Sequence, residues 1–461
     1  MRRRTVFTDV TVGRAQDLVF GHAPHPIRCG LGLHIGAGHV HPEINFTLPP
    51  MSIEDHTWPD VVAQYDEMMV AVLRRCRTLQ VPGLVVEFEH LPPMTDRPEW
   101  GAEITSRIQG HLHQAHDAWG LRSALRVTVV DLRDRTRPPV LRDGPAWESM
   151  ARSLAQCADA GANILSIESV GGKEVHDEAL LHGDVGGLVF ALGVLAARDM
   201  GWLWDRITDV CSRHGDALPG GDSACGFANT AMQLAHQGML PEVLAAVVRA
   251  MGAARSLVAF EHGAVGPSKD CAYEGPVLKV ITGCPISMEG KSACCAHSSP
   301  LGNVAAAACD LWSNESVQNV RLLSGNAPEA FMELLAYDCR LMNTALERGG
   351  APLLRDWLVE SDQWLSPQAA LLTPDAAWTL ARAIVREQDH YGRVAAAART
   401  AVSLIRDASA SGRLRLSVRE AQWLAKIECA LAALPPTADA LTVEMRDTYG
   451  HLFHESSYGL V

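Results

Sequence analysis

The chain has 461 residues, 48% of them hydrophobic and 20% charged, enough to bury a large core in one big domain with additions. Its formal net charge of −13 excludes a general nucleic-acid binder, because no clustered Lys and Arg supply the phosphate neutralisation such a role needs. Met1-Arg-Arg-Arg-Thr-Val-Phe opens like an export signal, but Asp9, Arg14 and Asp17 interrupt any apolar stretch, so no signal and no membrane span are expected.

In chain order, a Gly-, His- and Pro-rich stretch from Gly21 to Pro50 reads as a covering segment, followed by an amphipathic helix from Trp58 to Cys76. Short β-type runs then alternate with helical patterns: Leu84–Glu89, Leu125–Leu132, Ile164–Ser169, Leu257–Ala264, Pro285–Glu289 and Val320–Gly325. Several are apolar on both faces, as strands of a parallel sheet covered by helices must be. The pattern predicts an α/β fold, a (β/α)8 TIM-type barrel, although eight strands do not count out cleanly. From Ala327 onward nearly everything reads as Ala- and Leu-rich helix: Glu329–Glu347, Pro374–Gln388, Gly392–Ser409, Ser417–Leu434 and Ala438–Phe453. Three regions result: 1–80 with the covering segment and first helix, 81–345 as the barrel, and 346–461 as a helical extension free for subunit contacts.

Twelve cysteines are scattered without a compact framework, which in a long acidic chain lacking a signal points to reduced thiols in the cytoplasm. Most read as small buried hydrophobes, Cys76, Cys157, Cys339 and Cys429 among them. Three segments stand apart. Glu168 ends an alternating run in which Ile164, Ser166 and Glu168 share one face, so its carboxylate points into the barrel mouth; an ion pair with Lys173 is the competing structural reading. Cys225 follows a Gly220-Gly221 turn and precedes a helix, whose positive end favours its thiolate. Cys271 repeats that arrangement after Gly266-Pro267, with Pro276 suited to the first turn of the next helix. One carboxylate and two thiolates make a three-ligand zinc site with a fourth position open to a substrate oxygen.

A second cluster competes for the metal: Cys294, Cys295 and His297 beside Glu289 offer soft ligands on one loop. Gly30-Leu31-Gly32-Leu33-His34-Ile35-Gly36 has one residue too many for a dinucleotide fingerprint. His39-Val40-His41-Pro42-Glu43-Ile44-Asn45 reads as a surface loop or lid rather than a ligand set.

The strings Gly-Gly-Asp-Ser-Ala-Cys-Gly-Phe-Ala-Asn-Thr-Ala-Met at 220–232, Gly-Ala-Val-Gly-Pro-Ser-Lys-Asp-Cys at 263–271, Ser-Met-Glu-Gly-Lys at 287–291 and Ala-Ala-Ala-Cys-Asp-Leu-Trp-Ser-Asn-Glu-Ser-Val-Gln-Asn at 306–319 resemble the zinc-containing subunit of methanol:corrinoid methyltransferase. The resemblance runs from Phe20 to about Asn343. It implies a barrel, one Zn2+ held by Glu168, Cys225 and Cys271, methanol as substrate, and a separate corrinoid protein as methyl acceptor. Within it Cys295 matches the pattern and Cys294 is extra. Zinc then serves the leaving oxygen as a Lewis acid, and Asp222, Glu289 and His297 are the candidates to return a proton to that oxygen. No Asp-x-His-x-x-Gly string supplies an axial histidine to cobalt, so the corrinoid is expected on a partner, in a heterotetramer built on a homodimer. The alternatives are another small methoxy or alcohol donor, a zinc-dependent barrel hydrolase or aldolase, and a scaffold whose thiols are merely buried.

Overall fold

The computed structural model describes residues 4–48, 51–296, 300–317, 321–322 and 325–460. An antiparallel hairpin, β1 (His22–Cys29) and β2 (Leu33–Ala37), precedes seven further strands: β3 (His41–Thr47), β4 (Gly83–Glu89), β5 (Arg122–Val129), β6 (Ile164–Ile167), β7 (Leu218–Asp222), β8 (Ser287–Glu289) and β9 (Leu311–Val317). These seven form one parallel sheet in the order β7-β6-β5-β4-β3-β9-β8, which curls into an α/β barrel of TIM type. The remaining place, between β7 and β8, is taken by an irregular stub. Val265 N–H donates to Pro219 O at 2.8 Å and Gly266 N–H to Gly220 O at 2.8 Å, so the stub follows β7 in the same direction. On its other side, a side chain at Gly266 would meet Pro285 O at 2.5 Å, so only glycine lets the two backbones approach. This is why eight strands do not count out in the sequence.

The barrel interior is polar, and that reshapes the sequence pattern. Along each strand the outward residues are apolar and join the main core under the helices: Ile44 and Phe46, Leu84, Val86 and Phe88, Leu125 and Val127, Leu165 and Ile167. Inward residues are apolar only at the floor, where Val85, Ala124, Ile164 and Leu311 pack against Cys29, Leu33 and Ile35 of the hairpin. Above them Arg126 pairs with Glu43 at 2.7 Å, both fully buried, and also donates to Ser166 Oγ and Pro267 O. Alternating strands with a charged inner face do not read as continuous apolar runs.

Four expectations are corrected. The segment Leu257–Ala264 is not a strand but the end of the helix Glu242–Glu261, which is buried on every face and so shows no helical period. His41, Pro42, Glu43 and Asn45 belong not to a surface loop but to β3, mid-sheet between β4 and β9, so the barrel begins well before residue 81. The Gly21 to Pro50 segment, which as a cover for the barrel mouth would join the loops around Glu168, Cys225 and Cys271, instead sets its hairpin at the opposite end, where it plugs the floor. Of the Val320–Gly325 run, Arg321–Leu322 pairs with Gly325–Asn326 in a small hairpin apart from the barrel, while Val320, Leu323 and Ser324 lie outside the described residues.

The helices from Ala327 onward form largely as read, with side-chain caps at Asn326, Ser366, Thr373, Asp389, Ser417 and Thr437 each accepting from a first-turn amide. The helix Ala351–Asp362 was not anticipated. Two helical stretches, Val185–Arg213 and Glu242–Glu261, are long and apolar enough to cross a membrane, but 83% and 100% of their apolar windows are buried inside the fold, as core helices are.

Candidate metal centre

Glu168, Cys225 and Cys271 come from three successive C-terminal strand ends, the face where barrel enzymes place their chemistry. Glu168 follows β6 directly. Cys225 opens the helix Cys225–His236 after β7, which bulges at Gly220 so that the chain turns sharply into the helix. Cys271 follows the stub and precedes the helix Gly275–Thr282, with Pro276 in its first turn. One ligand atom from each of the three residues lies within 4.8 Å of the others. Among the described residues no other group of three His, Cys, Asp or Glu side chains does this.

The donor set fits a divalent cation. Cys271 Sγ and Glu168 Oε1 approach to 2.8 Å, so the thiol and the carboxyl converge on one point. Enclosure in the mouth raises the Glu168 carboxyl, with Lys269 opposing and Glu89 adding to it. Burial pushes the Cys271 thiol well above its usual value, helped by Cys225 and by the Glu168 charge. At Cys225 the bond from Cys271 acts downward, but burial and the Glu168 and Glu289 charges outweigh it and carry the thiol up to about 11. Three acids that resist ionising together lose their protons readily to a zinc ion.

Outer residues fix these ligands. Asn229 Nδ2 donates to Cys225 Sγ at 2.9 Å, and Ser223 Oγ lies 3.2 Å from Cys271 Sγ. Asp222 Oδ1 accepts from Ser169 N–H, Ser223 N–H and Arg255, while its Oδ2 accepts from Trp204 Nε1. Arg255 also donates to Ser169 O and Ser223 O, so one buried pair clamps the loops behind Glu168 and Cys225. The competing ion pair with Lys173 does not form: Lys173 binds Asp177, and Glu168 instead faces Lys269 at 3.6 Å.

Lys269 is the residue sequence reasoning missed. Its buried ammonium lies 2.8 Å from Asp270, 3.1 Å from Glu89 and 3.6 Å from Glu87 as well as near Glu168. Its position two residues before Cys271 was the available signal. Glu289 lies on β8 and accepts from Tyr273 Oη at 2.5 Å; the same hydroxyl contacts Cys294 Sγ at 3.0 Å, which turns Cys294 toward Tyr273. His297 lies outside the described residues, as does the side chain of Cys295.

A family model described as methanol-cobalamin methyltransferase B subunit matches residues 4–459. The methanol–corrinoid protein co-methyltransferase of Methanosarcina barkeri is 37% identical over 460 residues, 98% of this chain and 99% of that protein. The crystal structure of the methanol:cobalamin methyltransferase complex from Methanosarcina barkeri superposes with a TM-score of 0.94 at 36% identity, covering 98% of this chain and 99% of that one. Carrying its three candidate ligands at one barrel mouth, the chain belongs to the methanol-cobalamin methyltransferase B subunit family.

Proposed function

We propose that the chain is a methyltransferase that passes the methyl group of methanol to the cobalt of a corrinoid held by a partner protein, using a zinc ion bound by Glu168, Cys225 and Cys271. The observation that carries the reading is the convergence of those three side chains at the mouth of a barrel of this family. Bound there, zinc supplies Lewis acidity toward a small substrate's oxygen.

The chain's own residues supply the rest. Asn229 and Ser223 orient the sulfurs, Lys269 keeps Glu168 turned toward them, and the Asp222–Arg255 pair fixes both loops. Asp222, engaged by four donors, acts as a positioning residue. Glu289, beside the Tyr273 hydroxyl, is the acid we assign to return a proton to the departing oxygen; His297 is the other candidate. The corrinoid protein docks over the loops of the mouth. Exposed Leu334, Tyr337 and Leu341 on the helix Ala327–Glu347, with Leu353 and Trp357 on the adjacent helix Ala351–Asp362, offer an apolar face for a homodimer within a heterotetramer. A cytoplasmic location accords with its free cysteines.

The direct test is spectroscopic detection of methylcobalamin formed from methanol and Co(I) cobalamin by the purified protein. Transfer from other methoxy donors but not methanol would change the substrate, and turnover without any cobamide would favour a hydrolase or aldolase.

A further inference from the structure

Two buried polar atoms inside the barrel lack a hydrogen-bond partner and sit on neighbouring residues. Asn45 and Glu87 are directly opposite each other on the parallel pair β3–β4, on the inward face, and both are almost fully buried. Asn45 Nδ2 donates to Glu89 Oε2 at 3.0 Å, which fixes the amide so that Oδ1 is its other atom. That Oδ1 has no donor. Glu87 Oε1 accepts from Thr128 Oγ1 at 2.6 Å, while its Oε2 is likewise without a partner. Strands about 4.8 Å apart bring two such side chains within reach. An ionised Glu87 leaves both atoms without a partner in the protein, since two acceptors cannot bond each other; a protonated one can satisfy both with a single O–H···O bond.

We infer that Glu87 is held as a neutral carboxylic acid that donates its proton to Asn45 Oδ1, leaving the Lys269 ammonium to Asp270, Glu89 and Glu168. Four carboxyl groups surround that one ammonium, and Glu87 is among the two most distant at 3.6 Å. The charged groups facing Glu87 are Glu43 on β3, Glu89 on its own strand, Arg126 on β5, and Lys269 and Asp270 beyond the stub. Burial is the main cause raising its carboxyl, with Asp270 second, against Lys269 and Arg126. Glu87 thus acts as a positioning residue: by surrendering its claim on Lys269 it leaves that cation to steady Glu168.

The test uses Glu87→Gln, an amide of the same shape that can donate to Asn45, in the zinc-loaded chain. Infrared difference spectra against the wild type should show loss of one protonated-carboxyl band near neutral pH, with zinc content unchanged. A folded-state carboxyl raised above its unfolded value contributes stability below about pH 4.5 that is lost as pH rises toward the folded value. The variant lacks this loss, so its folding equilibrium should gain on the wild type by up to about tenfold per pH unit above that point. Absence of the band, a pH-independent stability difference, or a Gln variant that fails to fold or loses zinc overturns the inference, because the amide reproduces the neutral form. The inference concerns the centre proposed above, and the wild type separates the two. Wild-type protein devoid of zinc sinks the metal reading, whereas zinc-bearing wild type without the band sinks this one alone.

Discussion

The amide of Gly172 donates to the hydroxyl of Tyr458 at 2.8 Å, tying the loop behind Glu168 to a short helix 286 positions further along the chain. Gly172 adopts φ +82, a conformation that favours glycine, and the same hydroxyl donates to Glu174 at 2.7 Å. Tyr458→Phe strips the buried Gly172 amide and the half-buried Glu174 carboxyl of their partner and should cost about 1–3 kcal/mol in chemical denaturation. Unchanged stability would show that the tail does not brace the loop.

Glu174 provides a pH prediction. Burial, opposed by the Tyr458 hydrogen bond, pushes its carboxyl up to about 7. The folded value lies above the unfolded one, so its stabilising effect is complete below about pH 4.5 and is lost as pH rises to 7. Glu174→Gln removes that loss, worth up to about 3 kcal/mol across the window at about 1.4 kcal/mol per unit. Melting midpoints recorded between pH 5 and 7 should therefore fall less steeply for the variant than for the wild type.

For the metal, Cys225→Ser and Cys271→Ser should each reduce zinc content from about one per chain to near none in elemental analysis. Asn229→Leu, which removes the bond to Cys225 Sγ and also an acceptor of the buried Arg249, should weaken zinc binding about 10- to 100-fold in a chelator competition. Full zinc retention in both serine variants would move the site to Cys295 and His297.

Asp222→Asn turns an amide N–H toward a set of donors. Zinc affinity should fall by about 10- to 100-fold while the pH profile of methyl transfer keeps its shape. A profile that loses one limb would instead make Asp222 the acid.

The buried pair Arg126–Glu43 stands at the centre of the barrel. Arg126→Met leaves Glu43 with a hydrogen bond from Ser287 but no counter-charge and should cost about 3–5 kcal/mol, of which Arg126→Met with Glu43→Gln should regain a substantial part. Equal losses in the single and double variants would show that the charge of Glu43 is not what destabilises.

What the sequence revealed about the centre came from punctuation. Glycine turns before Cys225 and Cys271, and a period-two run ending on Glu168, mark strand ends irrespective of what lines the barrel. The strands themselves were harder. Glu43, Asn45, Ser313 and Glu315 face inward on β3 and β9, and β7 reads Leu-Pro-Gly-Gly-Asp, so none of the three resembles a buried apolar strand. Conversely, Leu257–Ala264 belongs to a helix enclosed on all sides, where a short apolar run is indistinguishable from a strand. The Lys269 network escaped notice because its carboxylates come from segments scattered over residues 87–270.

The hairpin that seals the floor with Cys29, Leu33 and Ile35 would, on the proposed function, also set the order of events. A barrel stoppered below admits visitors only from above, and on the proposed function a corrinoid protein seated over the mouth closes that route. The alcohol must then arrive before the cobalt. Steady-state kinetics should show a compulsory sequence, with surplus corrinoid protein inhibiting at low methanol and relieved as methanol rises.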